Sequence, residues 1–217
     1  MSDARSDILN RLRSVLDGGR ADGMEPSEIV QSRLVDRPRG PQPAWSEDLP
    51  SRFNQRVESA AATLAGVADR GSLTAAVQTF LQQHQLPAEL VVAPHPLLAD
   101  LPWPEAMTVN HRAIGSQDLT AISVAFAGIA ETGSVVMLSG PETPTRINFL
   151  PDNFLCVVAR ERIVPRIEDA WELIRKERGE MPRTVNLVTG PSRTADVEQT
   201  IQLGAHGPRR MHVLILG

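Results

Sequence analysis

The most pointed chemistry in this sequence is a single carboxylate set between two apolar runs: Glu131, then Thr132, Gly133 and Ser134, with 121–130 before them and 135–138 after. Both runs are short and rich in Val, Ile and small residues, a composition that suits strands covered on both faces. Gly133 takes positive φ at little cost, so a hairpin here presents Glu131, Thr132 and Ser134 together. At such a turn a carboxylate can serve as base, nucleophile or recognition group, or it can simply be solvated.

A second stretch, 187–198, reads Leu-Val-Thr-Gly-Pro-Ser-Arg-Thr-Ala-Asp-Val-Glu: a strand end, a Gly-Pro turn and then hydroxyls before a helix expected over 195–203. Ser192 or Thr194 can cap that helix, and the free N–H groups of a helix start favour an anion. Arg193 beside the positive helix end is unfavourable by up to about 1 kcal/mol unless something compensates. Either Asp196 and Glu198 do so, or a bound carboxylate or phosphate does. The third stretch is Gly-Ala-His-Gly-Pro at 204–208, where Gly204 and Gly207 permit a tight backbone around His206. A histidine there can donate to an anion or exchange a proton near neutral pH.

Other chemistries lose their candidates. Lys176 is the only lysine and Cys156 the only cysteine, which leaves no lysine-bearing phosphate loop, no intrachain disulfide and no thiolate set for an iron-sulfur cluster. His84, His95, His111 and His212 lack the close spacing of a zinc site, and neither a Gly-x-Ser-x-Gly elbow nor a Gly-x-Gly-x-x-Gly loop occurs. The formal charge of -4, with 41% hydrophobic and 22% charged residues, fits a globular protein and argues against broad binding to nucleic acid or an anionic membrane surface. With no long apolar run and no secretory pattern at the start, the expectation is a cytoplasmic protein without a membrane span.

The elements that must position these residues follow from periodicity. Residues 3–16 carry Ile8, Leu12, Val15 and Leu16 at helical spacing, and 25–34 add a turn or two. Four prolines in 37–50 then impose an extended arm, so the domains expected are 1–50, a helix and Pro-rich arm, and 51–217, one α/β domain. The first helix is too short to be stable alone, and its apolar stripe needs a surface to cover. Phe53, Val57, Ala61, Leu64 and Val67 predict a helix from 52 that ends before Gly71. Ser72 caps a second helix to 83, with Leu73, Val77, Phe80 and Leu81 inward. Strands are expected at 89–93, 107–110, 154–159, 185–188 and 211–216, with a helix starting at Pro165. Alternating strands and helices call for an α/β three-layer sandwich with a mixed, mainly parallel sheet.

Four of these pieces, in this order, resemble the LUD family: Ala-Glu-Thr-Gly-Ser at 130–134, Arg146 followed by Leu-Pro at 150–151, Gly-Pro-Ser-Arg-Thr-Ala-Asp-Val-Glu at 190–198, and Gly-Ala-His-Gly-Pro at 204–208. They cover roughly the C-terminal half. Ser134 stands where the family often has threonine, which keeps the hydroxyl. The resemblance implies a fold like the NagB/RpiA/CoA-transferase group and a role in oxidising L-lactate to pyruvate. It implies an accessory subunit beside lactate-utilisation partners that carry the iron-sulfur clusters, this chain binding no cofactor of its own. A small-anion cleft would draw on Glu131, Thr132, Gly133, Ser134, Arg146, Ser192, Arg193, Thr194, Asp196, Glu198, His206 and Gly207. The alternative is a stand-alone CoA-transferase-like or folate cyclo-ligase-like enzyme with Glu131 as its catalytic group.

Overall fold

A computed structural model describes residues 4–18, 26–194, 202–204 and 206–217. The chain divides into two compact units, Met1–Trp45 and Ser46–Gly217. In the first, α1 (Ala4–Gly18) and α2 (Pro26–Asp36) are followed by an arm without regular structure. The second helix is longer than the turn or two expected, since Pro26 occupies its first position, where no N–H is needed. Ile8, Leu12 and Val15 of α1 are exposed.

The second unit begins with α3 (Leu49–Ser59), started by Asp48, whose carboxylate accepts the Ser51 N–H at 3.0 Å, and anchored by buried Phe53 and Val57. The expected continuation of this helix toward Gly71 is corrected: Ala61 turns left-handed at φ 59, and β1 (Thr63–Val67) is a strand. Ala61, Leu64 and Val67 happen to keep the helical spacing. Gly66 disfavours the helix, and the β-branched Thr63 and Val67 favour the extended form once a neighbouring strand is there to pair with. Next comes α4 (Leu73–Gln83), whose Leu73, Val77, Phe80 and Leu81 are buried as expected. The cap ahead of it is Asp69, which accepts the Ser72 N–H at 2.8 Å; the Ser72 hydroxyl does not cap.

In order there follow β2 (Glu89–Val92), β3 (Thr108–Asn110), β4 (Thr120–Val124), β5 (Ala127–Ile129), β6 (Ser134–Leu138), α5 (Arg146–Phe149), β7 (Asn153–Ala159), β8 (Ile163–Val164) and α6 (Ile167–Arg178). The chain ends with β9 (Val185–Val188), β10 (Arg193–Thr194), β11 (Gln202–Leu203) and β12 (Arg210–Leu216). Six strands form one all-parallel sheet in the order β1-β12-β7-β4-β2-β3, and β8-β5-β6-β9 form a second sheet with antiparallel pairs. Two residues pass the chain between them. The Ala125 N–H still donates to Val157 O of the first sheet at 2.8 Å, while the Phe126 N–H donates to Val136 O of the second at 2.8 Å.

On one face of the parallel sheet, α4 and Ile147 of α5 pack on Leu90, Ile122, Leu155 and Leu214. On the other, Phe154, Cys156, Val158 and Val213 meet Phe53 and Val57 of α3 and Val135 and Met137 of the second sheet. The outer face of the second sheet is covered by α6 through Ala170 and Ile174. Each fully buried large side chain contributes about 1.5–3 kcal/mol relative to exposure, so these three interfaces fix the layering. The architecture is the α/β three-layer arrangement with a mainly parallel sheet. Among the described residues no helix is long and apolar enough to cross a membrane.

Candidate functional site

The Glu-Thr-Gly-Ser turn joins β5 to β6 and is held on two sides. The Ala130 and Glu131 N–H groups donate to Val164 O at 2.9 Å and Pro165 O at 3.0 Å, prolonging the β5–β8 pairing. Gly133 has φ +71, and a Cβ there would lie 2.5 Å from the backbone of Arg56 and Val57, so the turn packs directly under α3. The hydroxyls form a chain: Thr132 Oγ1 is 2.6 Å from Ser134 Oγ, which is 2.6 Å from Thr189 Oγ1. Ser134 is buried, so its hydroxyl depends on these two partners. Glu131 is paired with Arg166 at 3.7 Å, and both side chains are largely shielded. Since Arg166 precedes α6 and its N–H is capped by Asp169 at 2.9 Å, the partner of Glu131 is itself fixed.

Thr189 leads into the second motif. Gly190, at φ +73, approaches the carbonyl oxygen of Ala60, which ends α3, so closely that a Cβ would overlap it. Both motif glycines therefore serve the packing of turns beneath one helix end. Ser192 is the pin between the second and third motifs: its N–H donates to Pro208 O at 2.8 Å, its carbonyl accepts the Gly204 N–H at 3.0 Å, and its Oγ accepts the His206 N–H at 3.3 Å. Gly207 faces the same serine.

The helix expected over 195–203 is corrected at its described end, where Gln202 and Leu203 pair antiparallel with Thr194 and Arg193. The Ser192 hydroxyl is engaged across the loop with His206. Residues 195–201, with Asp196 and Glu198, lie outside the described residues, as does Ala205. The Arg193 and His206 side chains are exposed. Thus Thr132, Ser134 and Thr189 come together, as do Ser192, His206 and Gly207. Arg146 does not join them: it opens α5 on the α4 side of the parallel sheet, whereas the turn lies on the α3 side.

A cleft of about 240 Å³ opens elsewhere, beyond the carboxyl ends of β4 and β7 and the loop that follows β2. Its charged and titratable residues are His95, Glu142, Arg162, Glu177 and Arg178, around the ring of Phe126, while Thr143 also lines it with its hydroxyl committed to Leu138 O at 2.6 Å. His95 Nδ1 accepts the Leu97 N–H at 3.1 Å, and Nε2 faces Glu142 Oε2 at 4.0 Å. Burial pushes the His95 pKa below its ordinary value, opposed by the Glu142 carboxylate. Arg162 forks onto Glu177 at 2.7 and 2.9 Å, donates from Nε to Phe126 O at 2.9 Å and lies 4.5 Å over the Phe126 ring. The Arg162 guanidinium holds the Glu177 carboxyl below its usual range. None of these residues stood out in the sequence because they come from four separated segments. The signal available was positional and partial: His95 and Arg162 follow the ends of β2 and β7, where ligands gather in parallel sheets, whereas Glu142 follows β6 of the second sheet and Glu177 and Arg178 close the last turn of α6.

The layered sheet with these motif turns is the architecture of the LUD domain, whose family model matches residues 54–216; the chain belongs to that family. Among its curated relatives, Lactate utilization protein C of Geobacillus kaustophilus is 33% identical over 127 residues, 52% of this chain and 53% of that protein. Lactate utilization protein C 1 of Bacillus mycoides is 36% identical over 91 residues, 41% of this chain and 39% of that protein. The chain's matches therefore span about half, or less, of the length of these relatives. A crystal structure of a duf162 family protein from Deinococcus radiodurans shares the fold, with a TM-score of 0.58 and 21% identity over 81% of this chain and all of that one.

Proposed function

We propose that this protein serves L-lactate utilisation in the cytoplasm as an accessory subunit, beside iron-sulfur partners that oxidise L-lactate to pyruvate, and that its motif turns offer a contact for a small anion. The observation that carries this reading is the repeated likeness to proteins named Lactate utilization protein C. The sole cysteine is buried in β7, which fits a subunit that leaves electron transfer to its partners. Around Ser192, the exposed Arg193 and His206 supply cationic and donor groups for an anion, with Thr132, Ser134 and Thr189 fixing the turns behind them.

Deletion of the gene in a strain with no second lactate oxidase should abolish growth on L-lactate, and affinity capture from lactate-grown cells should recover iron-sulfur proteins. Normal growth of the deletion strain refutes the reading. The alternative, Glu131 as nucleophile or base of a stand-alone CoA-transferase-like or folate cyclo-ligase-like enzyme, is disfavoured by its pairing with Arg166, which holds the carboxylate in an ion pair. Glu131→Gln tests it: a recognition or packing residue predicts reduced stability with no acyl-CoA or folate ligand detected by thermal shift.

A further inference from the structure

The cleft beyond β4 and β7 has a donor, an acceptor and a cation without a ligand role in the motif-based reading. It lies where the parallel sheet reverses its winding. From β2 the chain moves outward to β3, while from β4 it moves the other way to β7, and the crevice between such strands is the favoured ligand position of open α/β sheets. Its volume of about 240 Å³ is below the ~300–1,000 Å³ typical of drug-sized ligands, which sets the scale at a small metabolite.

The two arginines are not equivalent. Arg162 is committed to Glu177 and to the Phe126 carbonyl. Among the described residues the Arg178 guanidinium makes no hydrogen bond or ion pair, only its backbone carbonyl accepting the Glu180 N–H at 2.6 Å; the guanidinium stands 5.3 Å from the centre of the Phe126 ring, on the lining of the cleft. A guanidinium so placed suits a carboxylate. With Nδ1 accepting from the Leu97 N–H, a neutral His95 carries its proton on Nε2 and directs it toward Glu142. The gap of 4.0 Å to Glu142 is too long for a hydrogen bond, and one oxygen atom can span it. That oxygen must accept from His95 and donate to Glu142. A hydroxyl does both; a carbonyl oxygen cannot donate and would face the carboxylate lone pairs.

We propose that this cleft binds a short hydroxy carboxylic acid, with Arg178 taking the carboxylate and the hydroxyl bridging His95 Nε2 and Glu142. The choice of a 2-hydroxy acid, and of L-lactate as probe, rests on the lactate-utilisation reading. The class itself rests on the cleft. A 2-oxo acid, lacking the hydroxyl hydrogen, binds more weakly.

The test is titration of the purified full chain with L-lactate, pyruvate and propionate at constant ionic strength, followed by calorimetry or ligand-observed NMR. L-lactate should saturate, with propionate and pyruvate each weaker by roughly tenfold, the loss expected when a hydrogen bond to a charged group is removed. Arg178→Gln and Glu142→Ala should each weaken L-lactate by at least roughly tenfold. Lys176→Gln, on the same helix but outside the cleft, should not. Arg178 and Glu142 are exposed, so these variants should melt like the parent chain. Absence of saturable L-lactate binding, equal binding of propionate or pyruvate, or an unchanged Arg178→Gln variant overturns the proposal. Failure here with loss of lactate growth on gene deletion removes the ligand alone; binding here with normal growth removes the cellular role alone.

Discussion

Substituting Gly133 by alanine separates two reasons for a glycine in the Glu-Thr-Gly-Ser turn. Gly133 and Gly179 both have positive φ, +71 and +64, which alanine rarely adopts, so alanine at either position bears a backbone strain of about 1–3 kcal/mol, partly offset by about 0.4–1 kcal/mol from the stiffer unfolded chain. Their surroundings differ. Nothing lies within 4 Å of a Cβ at Gly179, which ends α6, whereas a Cβ at Gly133 meets the Arg56 and Val57 backbone at 2.5 Å. Relieving that overlap means displacing α3 from the turn, an overpacking cost of about 1–3 kcal/mol or more. Gly179→Ala should thus cost about 1 kcal/mol and Gly133→Ala about 3 kcal/mol. In a domain of this size that corresponds to melting temperatures lower by roughly 2–4 °C and 6–12 °C. Urea melts by circular dichroism and fluorescence give the two values on one scale. Equal losses would show that conformation alone requires the motif glycine, and the account of the turn as packed under α3 would be wrong.

Two further outcomes concern buried groups. His212 in β12 stacks on Phe80, its ring centres 4.7 Å apart, with Nδ1 2.7 Å from Thr63 Oγ1; burial, and secondarily the charge of His84, pushes its pKa down from 6.5 to about 4. The native state thus keeps it neutral while the unfolded chain takes a proton below pH 6.5. Its contribution is complete above that pH and is lost as pH falls toward 4, so the stability difference between wild type and His212→Asn should shrink by roughly 2–3 kcal/mol between pH 7.5 and 4.5. A pH-independent difference in urea melts would refute the burial of a neutral ring. Cys156 is fully buried, 3.7 Å from Met137 Sδ, and burial raises its thiol pKa far above the ordinary range. Thiol reagents should label it only in proportion to urea unfolding, and prompt labelling of the native protein would contradict the core described.

What could be read in the chain was what lies contiguous in it. The strands around Glu131 were legible because 121–130 and 135–138 are apolar on both faces; the structure sets Ala121 and Ile122 in the core with α4, and covers β5 and β6 with α3 on one side and α6 on the other. Even so, the break at Ala125 and Phe126, where the chain changes sheets, left no mark in an unbroken apolar run. The start of α6 was legible from Pro165 and its early acids, one of which, Asp169, caps it. The helix drawn through Ala61, Leu64 and Val67 failed because β1 is decided by a partner at the other end of the sequence. The motif residues could be named from short stretches. The pairing of Glu131 with Arg166 and the closing of His95, Glu142, Arg162 and Arg178 on one cleft could not, since both depend on how the layers stack.

The place of β12 in the parallel sheet has a consequence for how the protein is made. Among the described residues the first strand of the sheet, β1, pairs only with the last, β12, which also lies against β7. As the chain leaves the ribosome, β1 therefore waits in this sheet for a neighbour more than 140 residues downstream. Until that strand is synthesised, β7 is left with an open apolar edge. Completion is an insertion between two segments already made, a step of high contact order during which exposed strand edges invite misassembly. Nascent chains that stall before Arg210 would lack the strand that joins β1 to the rest, and such chains are natural clients for a chaperone.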